Sequence, residues 1–348
     1  MIGLPLFYYA GAPCIFSPSP SYHEAESPRR AKRWRFHDMF ESTFLPEGIL
    51  ISSPENKEAL SSSAALEKAM LNETVLEARA ILCDNELNLL LDISPYRAII
   101  PREEVAWTED GMPCRDIAII TRVGKAVCFV IDDIIPSDGI SPPTLLLSRR
   151  RAQVKCIREY LNHLLPGDVI DARITHFEPF GCFCDIGCGI VSLLSIDCIS
   201  VSRISHPSDR FFVGEFIKAA VKSRDEPVGI SHGRISLTHK ELLGTWNENA
   251  AKFQIGQTVA GIIRSIESHG IFVELAPNLA GLAEWKPGVE VGQIAAVYIK
   301  NIIPKKMKVK LVLIDSHSSD KPRTTNTYFI TSGNVSNWRY APDEYEGK

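Results

Sequence analysis

Residues 176–189 read HFEPFGCFCDIGCG. One short stretch thus holds His176, three cysteines and three phenylalanines. Thiols and an imidazole are soft metal ligands, and the Cys-x-Cys-x3-Cys spacing admits a zinc site. Neighbouring thiols also admit redox chemistry. The phenylalanines admit a third use, an aromatic surface against which flat groups stack. The stretch alone leaves all three open.

A second copy of the pattern separates them. PGDVIDARITHFEPFGCFCDIGCGIVSLL begins at Pro166, and IGQTVAGIIRSIESHGIFVELAPNLAGLA begins at Ile255. At one constant offset Gly167 meets Gly256, Gly181 meets Gly270, Phe183 meets Phe272 and Asp185 meets Glu274. Self-similarity on this scale means tandem copies of one module. Each copy reads as short strands: VIDARITHF and VAGIIRSI alternate like half-buried strands, and GCFCDIG and GIFVEL follow after a glycine turn. Four or five such strands in about 70 residues suit a small closed barrel. A weaker third copy lies upstream, in NETVLEARAILCDNELNLLLDISPYRAIIP, closed by TLLLSRRRAQ. There Leu87, Asn88 and Leu90 take the places of Phe180, Gly181 and Phe183.

Alternation then assigns faces. Successive strand residues point to opposite sides, so Cys182 and Cys184 share one side and Phe183 takes the other. In the second copy Ile271 and Val273 stand in for the two cysteines, which marks that side as the apolar interior. A metal essential to the module is therefore not expected. Phe183 and Phe272 face outward, and a glycine bulge or turn is expected to bring Phe180 round beside Phe183. Outward rings on a barrel strand form a stacking platform for unpaired bases.

The rest of the chain bounds the function. Its 348 residues are enough for two or three domains. The formal net charge of −4 means that any basic site must be local. Nine cysteines, an odd number without CxxC pairs, favour reduced thiols. No apolar run is long enough to span a membrane. No phosphate loop, HExxH or nucleophile elbow is present, so no enzyme and no cofactor are expected. Residues 1–38 are apolar, then rich in Pro and Ser, then basic at PRRAKRWR; they read as a disordered extension, and Met39 as an alternative start.

The pattern of Phe-Gly-x-Phe, an acidic residue, a glycine turn and a closing Arg-Ile-Ser-Leu-Thr-x-Lys strand resembles the S1 RNA-binding domain family. FGCFCDIG, VGEFIKAAVKSRD and RISLTHK carry the likeness in one copy, and GQTVAGIIRSIESHGIFVEL carries it in the next. The resemblance implies OB folds and an RNA-binding face. On the first of these copies that face would hold Phe180, Phe183, Asp225 and Arg234, with His176 near it and the family's histidine position falling at about Ser192. On the next it would hold Phe272, His269 in the place of Phe180, and Lys308 in the place of the arginine, with Glu284 where the family has histidine. Lys218, Lys222, Arg224 and Arg234 are expected to line one groove.

The expected architecture is all-β dominated and multidomain: tandem five-stranded S1-type OB barrels joined by short α-helices. The expected boundaries are a poorly ordered extension over 1–66, a divergent barrel over 67–148 and a linker helix over 149–165. A barrel over 166–240, a linker helix over 241–254, a barrel over 255–315 and a tail over 316–348 follow. The tail is expected to fold back on the last barrel. The expected function is non-catalytic binding of single-stranded RNA, in particular mRNA at the small ribosomal subunit, in the cytoplasm. The alternative is a docking factor whose barrels bind a ribosomal or RNA-processing protein.

Overall fold

The computed structural model describes residues 43–109, 111–137, 142–226, 233–319 and 326–346. These contain three closed five-stranded barrels in series. Two short helices come first, α1 (Pro54–Ala59) and α2 (Ser63–Leu71). The first barrel comprises β1 (Leu76–Cys83), β2 (Leu89–Leu91), β3 (Arg97–Ile100), β4 (Ala126–Ile135) and β5 (Thr144–Ser148), with a short helix α3 (Asp116–Ile120) between β3 and β4. Helix α4 (Arg149–Glu159) leads to the second barrel, β6 (Val169–Glu178), β7 (Gly181–Asp185), β8 (Val191–Ser195), β9 (Phe216–Arg224) and β10 (Ile235–Thr238). One turn and a half of helix, α5 (Trp246–Ala250), precedes the third: β11 (Thr258–Glu267), β12 (Gly270–Ala276), β13 (Leu279–Ala283), β14 (Ile294–Ile303) and β15 (Lys308–His317).

All three barrels share one topology. The first three strands form a meander, the third pairs in parallel with the fifth, and the fourth closes on the first. This is the strand arrangement expected of an OB fold. Alternation drives the closure. Along β15 the side chains of Val309, Leu311 and Leu313 are buried while Lys308, Lys310 and Val312 are exposed. A strand with one apolar side stays put only when that side is enclosed.

The barrels are held together by buried charge. At the first joint Glu47 accepts from Arg149 Nε at 2.7 Å and Arg122 Nη1 at 2.8 Å, while its own backbone N–H donates to Asp185 Oδ2 of the second barrel at 2.8 Å. Burial alone would push the Glu47 carboxyl up; the Arg149 and Arg122 guanidinia instead hold it down at about 2. At the second joint Arg210 makes two hydrogen bonds to Glu274, at 2.7 and 3.0 Å, and both side chains are fully buried. Arg264 donates to the same carboxylate at 2.7 Å. Asn278, also buried, donates to the carbonyls of Lys240 and Gly244 and accepts from the Val201 N–H.

Two expectations about the ends change. Residues 43–66 are not a poorly ordered extension. Phe44 is buried in the core of the second barrel and stacks on Tyr160 with centroids 6.3 Å apart, and Glu77 of the first barrel accepts the backbone N–H groups of Gly48 and Ile51. Residues 1–42 lie outside the described residues. The tail does fold back on the last barrel, where Tyr340 packs against the third core and the Glu346 N–H donates to Lys305 O, but it first crosses the second barrel. Val169 N–H donates to Gly333 O, Val335 N–H to Gly167 O, and the Tyr340 hydroxyl to Asn278 O. The Tyr328 hydroxyl accepts from the Lys218 N–H and lies 3.0 Å from His239 Nε2. Val335 packs with Val169, Ala220 and Leu242, which belong to the second barrel and the segment after it.

Among the described residues no helix is long and apolar enough to cross a membrane.

Candidate nucleic-acid interface

One row of outward-facing residues runs around each barrel, and strand register makes the three rows comparable. In the second barrel the Cα partners are His176–Phe183, Phe183–Leu193 and Leu193–Ser236. In the third they are Ser265–Phe272, Phe272–Leu282 and Leu282–Lys310. In the first they are Leu82–Leu90, Leu90–Ile99 and Ile99–Leu146. The same fold thus presents an aromatic row, a mixed row with a lysine, and an aliphatic row.

Every row begins with the same backbone device. The register shifts by one residue between Ile174 and His176, between Ile263 and Ser265, and between Ala80 and Leu82. The extra residue bends the first strand and re-aims the next side chain, as a β-bulge does. This bulge lies at Thr175, in β6, and serves His176; Phe180 comes beside Phe183 through the turn that ends at Gly181, the turn form of the expectation. Gly181 has a second role. A Cβ there would meet Leu194 O at 2.4 Å, and one at Gly270 would meet Ala283 O at 2.4 Å. Both glycines let the neighbouring strand approach closely.

In the second barrel the rings assemble. His176 stacks on Phe183 with centroids 4.6 Å apart and planes at 12°. Phe180, in the turn before β7, meets Phe183 edge-on at 6.3 Å and is 54% exposed. Phe183 itself is half-buried beneath its two neighbours. Cys182 and Cys184 are fully buried inside the barrel with Ile174 and Leu194. Their mutual hydrogen bond, together with burial, pushes the Cys184 thiol well above its ordinary pKa. Such thiols are poor nucleophiles and poor ligands. Among the described residues no group of His, Cys, Asp or Glu is placed to hold a metal ion.

The cations are distributed differently from expectation. Lys218 pairs with Asp171 at 2.8 Å, Lys222 Nζ lies 3.2 Å from Cys198 Sγ, and Arg224 Nη1 donates to the carbonyls of Asn162 and Leu164 at 2.7 and 2.9 Å. These three do not join Arg234 in one free groove, because each is drawn to an acceptor of its own. Arg224 in particular caps the turn that follows α4. Arg234 is exposed and, two residues before Ser236 on β10, points to the same side as the aromatic row. The Asp225 N–H donates to the Arg234 carbonyl across the β9–β10 hairpin. Ser192 is buried and donates to Ile235 O, so it cannot occupy the family's histidine position. Counting two residues on from the paired Leu193 and Leu282 puts Ser195 in the place of Glu284.

In the third barrel His269 meets Phe272 edge-on at 5.5 Å. Lys308 corresponds to Arg234, since Lys310 and Ser236 pair with Leu282 and Leu193. Sequence reasoning passed over two exposed aromatics here, Trp285 just after Glu284 and Tyr298 on β14. The adjacency of Trp285 to Glu284 was a usable signal. The exposure of Tyr298 was not foreseeable without the register of β14.

No protein-family profile matches the chain. Curated relatives do. The small ribosomal subunit protein bS1 of Rhodopseudomonas palustris is 28% identical over 250 residues, covering 71% of this chain and 41% of that protein. The bS1 homolog of Bacillus subtilis is 32% identical over 168 residues, covering 47% of this chain and 41% of that protein. The bS1 protein of Staphylococcus aureus is 25% identical over 257 residues, covering 72% and 60%. The chain spans about two fifths of the length of the first two relatives. A solved multidomain protein with nucleic acid binding domains from Streptococcus pneumoniae aligns over 70% of this chain and 74% of its own, at 13% identity and a TM-score of 0.23. With these curated homologues beside three barrels of one topology, the chain resembles the S1 RNA-binding domain family and is built as tandem OB-fold barrels.

Proposed function

We propose that the chain binds single-stranded RNA without catalysis, using the aromatic row of the second barrel as its principal platform and that of the third as an auxiliary one. The observation that carries this reading is the ring assembly of His176, Phe183 and Phe180 on the outside of a barrel whose inside is closed by Cys182 and Cys184. Base stacking on such rings is worth roughly 1–3 kcal/mol per base and tolerates any sequence. Arg234 and, in the third barrel, Lys308 supply the phosphate contacts. The named curated relatives are small-subunit ribosomal proteins, which supports mRNA at the small ribosomal subunit as the setting.

The first barrel favours a second role. Its row, Leu82, Leu90, Ile99 and Leu146, has no ring and no cation, and Thr144 stands where Arg234 and Lys308 stand. An aliphatic row suits contact with a protein rather than RNA. Binding of a labelled oligouridine to the full chain, measured over a range of salt, tests the assignment. Phosphate contacts release counterions, so affinity falls as salt rises. Affinity for RNA that is absent at low salt, with binding only to ribosomal protein, would leave the docking role alone standing.

A further inference from the structure

Helix α4 forms the floor of a cleft of about 1380 Å³ between the first and second barrels. One wall is the segment around Trp107 of the first barrel, and the other is the β9–β10 hairpin with Asp225 and Arg234. The cleft exceeds the roughly 300–1,000 Å³ of ordinary small-molecule pockets, so its size suits a length of polymer.

Most basic residues on its floor are already engaged. Arg150 pairs with Glu104 at 3.0 Å, Arg151 pairs with Glu73 and Asp132, and Lys155 Nζ donates to Glu73 O at 2.8 Å. Arg158 and Arg234 differ. Both are exposed, and among the described residues neither side chain has a hydrogen bond or an ion pair. A guanidinium fork suits a phosphodiester, whose two oxygens it can grip together. Arg234 also belongs to the second barrel's outer face, beside the row that contains Phe183. Row and cleft therefore meet at this residue.

We infer that a single strand laid on the Phe183 row continues past Arg234 into the cleft, where Arg158 holds a following phosphate. The inference rests on the RNA-binding reading above and extends it to the joint between barrels. Carboxylates line the cleft as well, including Glu103, Glu159 and Glu226. They keep the cleft from being a general anion trap and restrict phosphate contact to the two free guanidinia. They also accept hydrogen bonds from base amino groups and ribose hydroxyls.

The test uses the full chain and two labelled oligouridines, of about 4 and about 12 nucleotides, with Kd read by anisotropy across a salt series. Arg158→Gln is expected to leave the short oligonucleotide unaffected, since the short strand is held by the aromatic row. It should weaken the long one about fivefold and reduce its logarithmic salt slope by about 0.7, one phosphate contact on a single strand. Phe183→Ala should weaken both. An Arg158→Gln effect on neither length, or an equal effect on both, would overturn the cleft assignment while leaving the row intact. A polyglutamate peptide that binds the chain and is lost in Arg158→Gln, with the long oligonucleotide unchanged, would assign the cleft to an acidic protein instead. Phe183→Ala without effect on either length would overturn the underlying RNA-binding reading. Because the Arg158 side chain is exposed and, among the described residues, has no hydrogen bond or ion pair, its substitution does not put folding at stake.

Discussion

The imidazole of His176 lies nearly flat on the ring of Phe183, with centroids 4.6 Å apart and planes 12° from parallel. The two residues sit on neighbouring strands, and only the bulge at Thr175 brings them into register. This one cross-strand pair places a stack of two rings on the outer barrel surface, edged by Phe180. The corresponding pairs, Ser265 with Phe272 and Leu82 with Leu90, retain the backbone geometry but lose one ring or both. The barrels thus differ in chemistry at a constant position.

The interior partner of that surface gives a simple control. Cys184 is fully buried and faces away from Phe183. Cys184→Ala is expected to cost about 1 kcal/mol of stability, the usual size for a single substitution, and to leave RNA affinity unchanged. Denaturant unfolding and an RNA titration on the same sample check both halves.

Arg210→Ala should loosen the second joint. It strips one guanidinium from a carboxylate that has no access to solvent, and removing one partner of such a pair typically costs about 3–5 kcal/mol. Hydrogen exchange should show lost protection in β12 and in the segment around Ser202, while the first barrel is unchanged. Equal protection in wild type and variant would mean that Arg264 alone suffices for Glu274.

Acid should act at His239. Burial holds this ring neutral, with its pKa down at about 4, against the pull of its hydrogen bond to Ile199 O. A folded pKa below the ordinary 6.5 means that its contribution is complete above 6.5 and is lost as pH falls through about 4. The full difference is worth about 3 kcal/mol. His239→Asn should flatten the melting temperature between pH 6.5 and 4 relative to the wild type. An identical pH profile in the variant would contradict the assignment.

A rise in pH from acid to neutral acts in the opposite sense at the first joint. Burial raises the Glu77 carboxyl to about 7, although the N–H groups of Ile51 and Gly48 counter the shift. A raised folded pKa contributes stability below about 4.5 that is lost as pH rises through about 7. Glu77→Gln should therefore remove a loss of stability between pH 4.5 and 7, measured by thermal unfolding. A wild-type melting temperature that rises over this interval through the first barrel would be inconsistent with it.

The offset between Phe183 and Phe272 was legible because the repeat is written in residue types, and alternation was enough to put Cys182 and Cys184 inside. Strand-level features that depend on count alone were less secure. Residue types alone place the family's histidine position at Ser192, whereas strand register places it three residues on, at Ser195. Arg224 read as a free cation because the carbonyls that bind it, those of Asn162 and Leu164, carry no mark in the sequence. The joints were not legible at all. Glu274 could be matched to Asp185, but its partner Arg210 lies in the preceding module, and Phe44 finds its place in a barrel that begins more than a hundred residues later. Such contacts are chosen by packing between modules, which leaves no local periodicity to read.

A ring that serves RNA rather than the core must affect binding and folding unequally when it is removed, and Phe183 can be tested in this way. The affinity of Phe183→Ala for a single-stranded oligonucleotide is set beside its unfolding free energy. The expected result is affinity lower by roughly 1–3 kcal/mol, about fivefold or more, with a loss of stability of only about 1 kcal/mol for the half-buried ring. Unchanged affinity with stability lower by about 3–5 kcal/mol, the cost of truncating a buried ring, would contradict it.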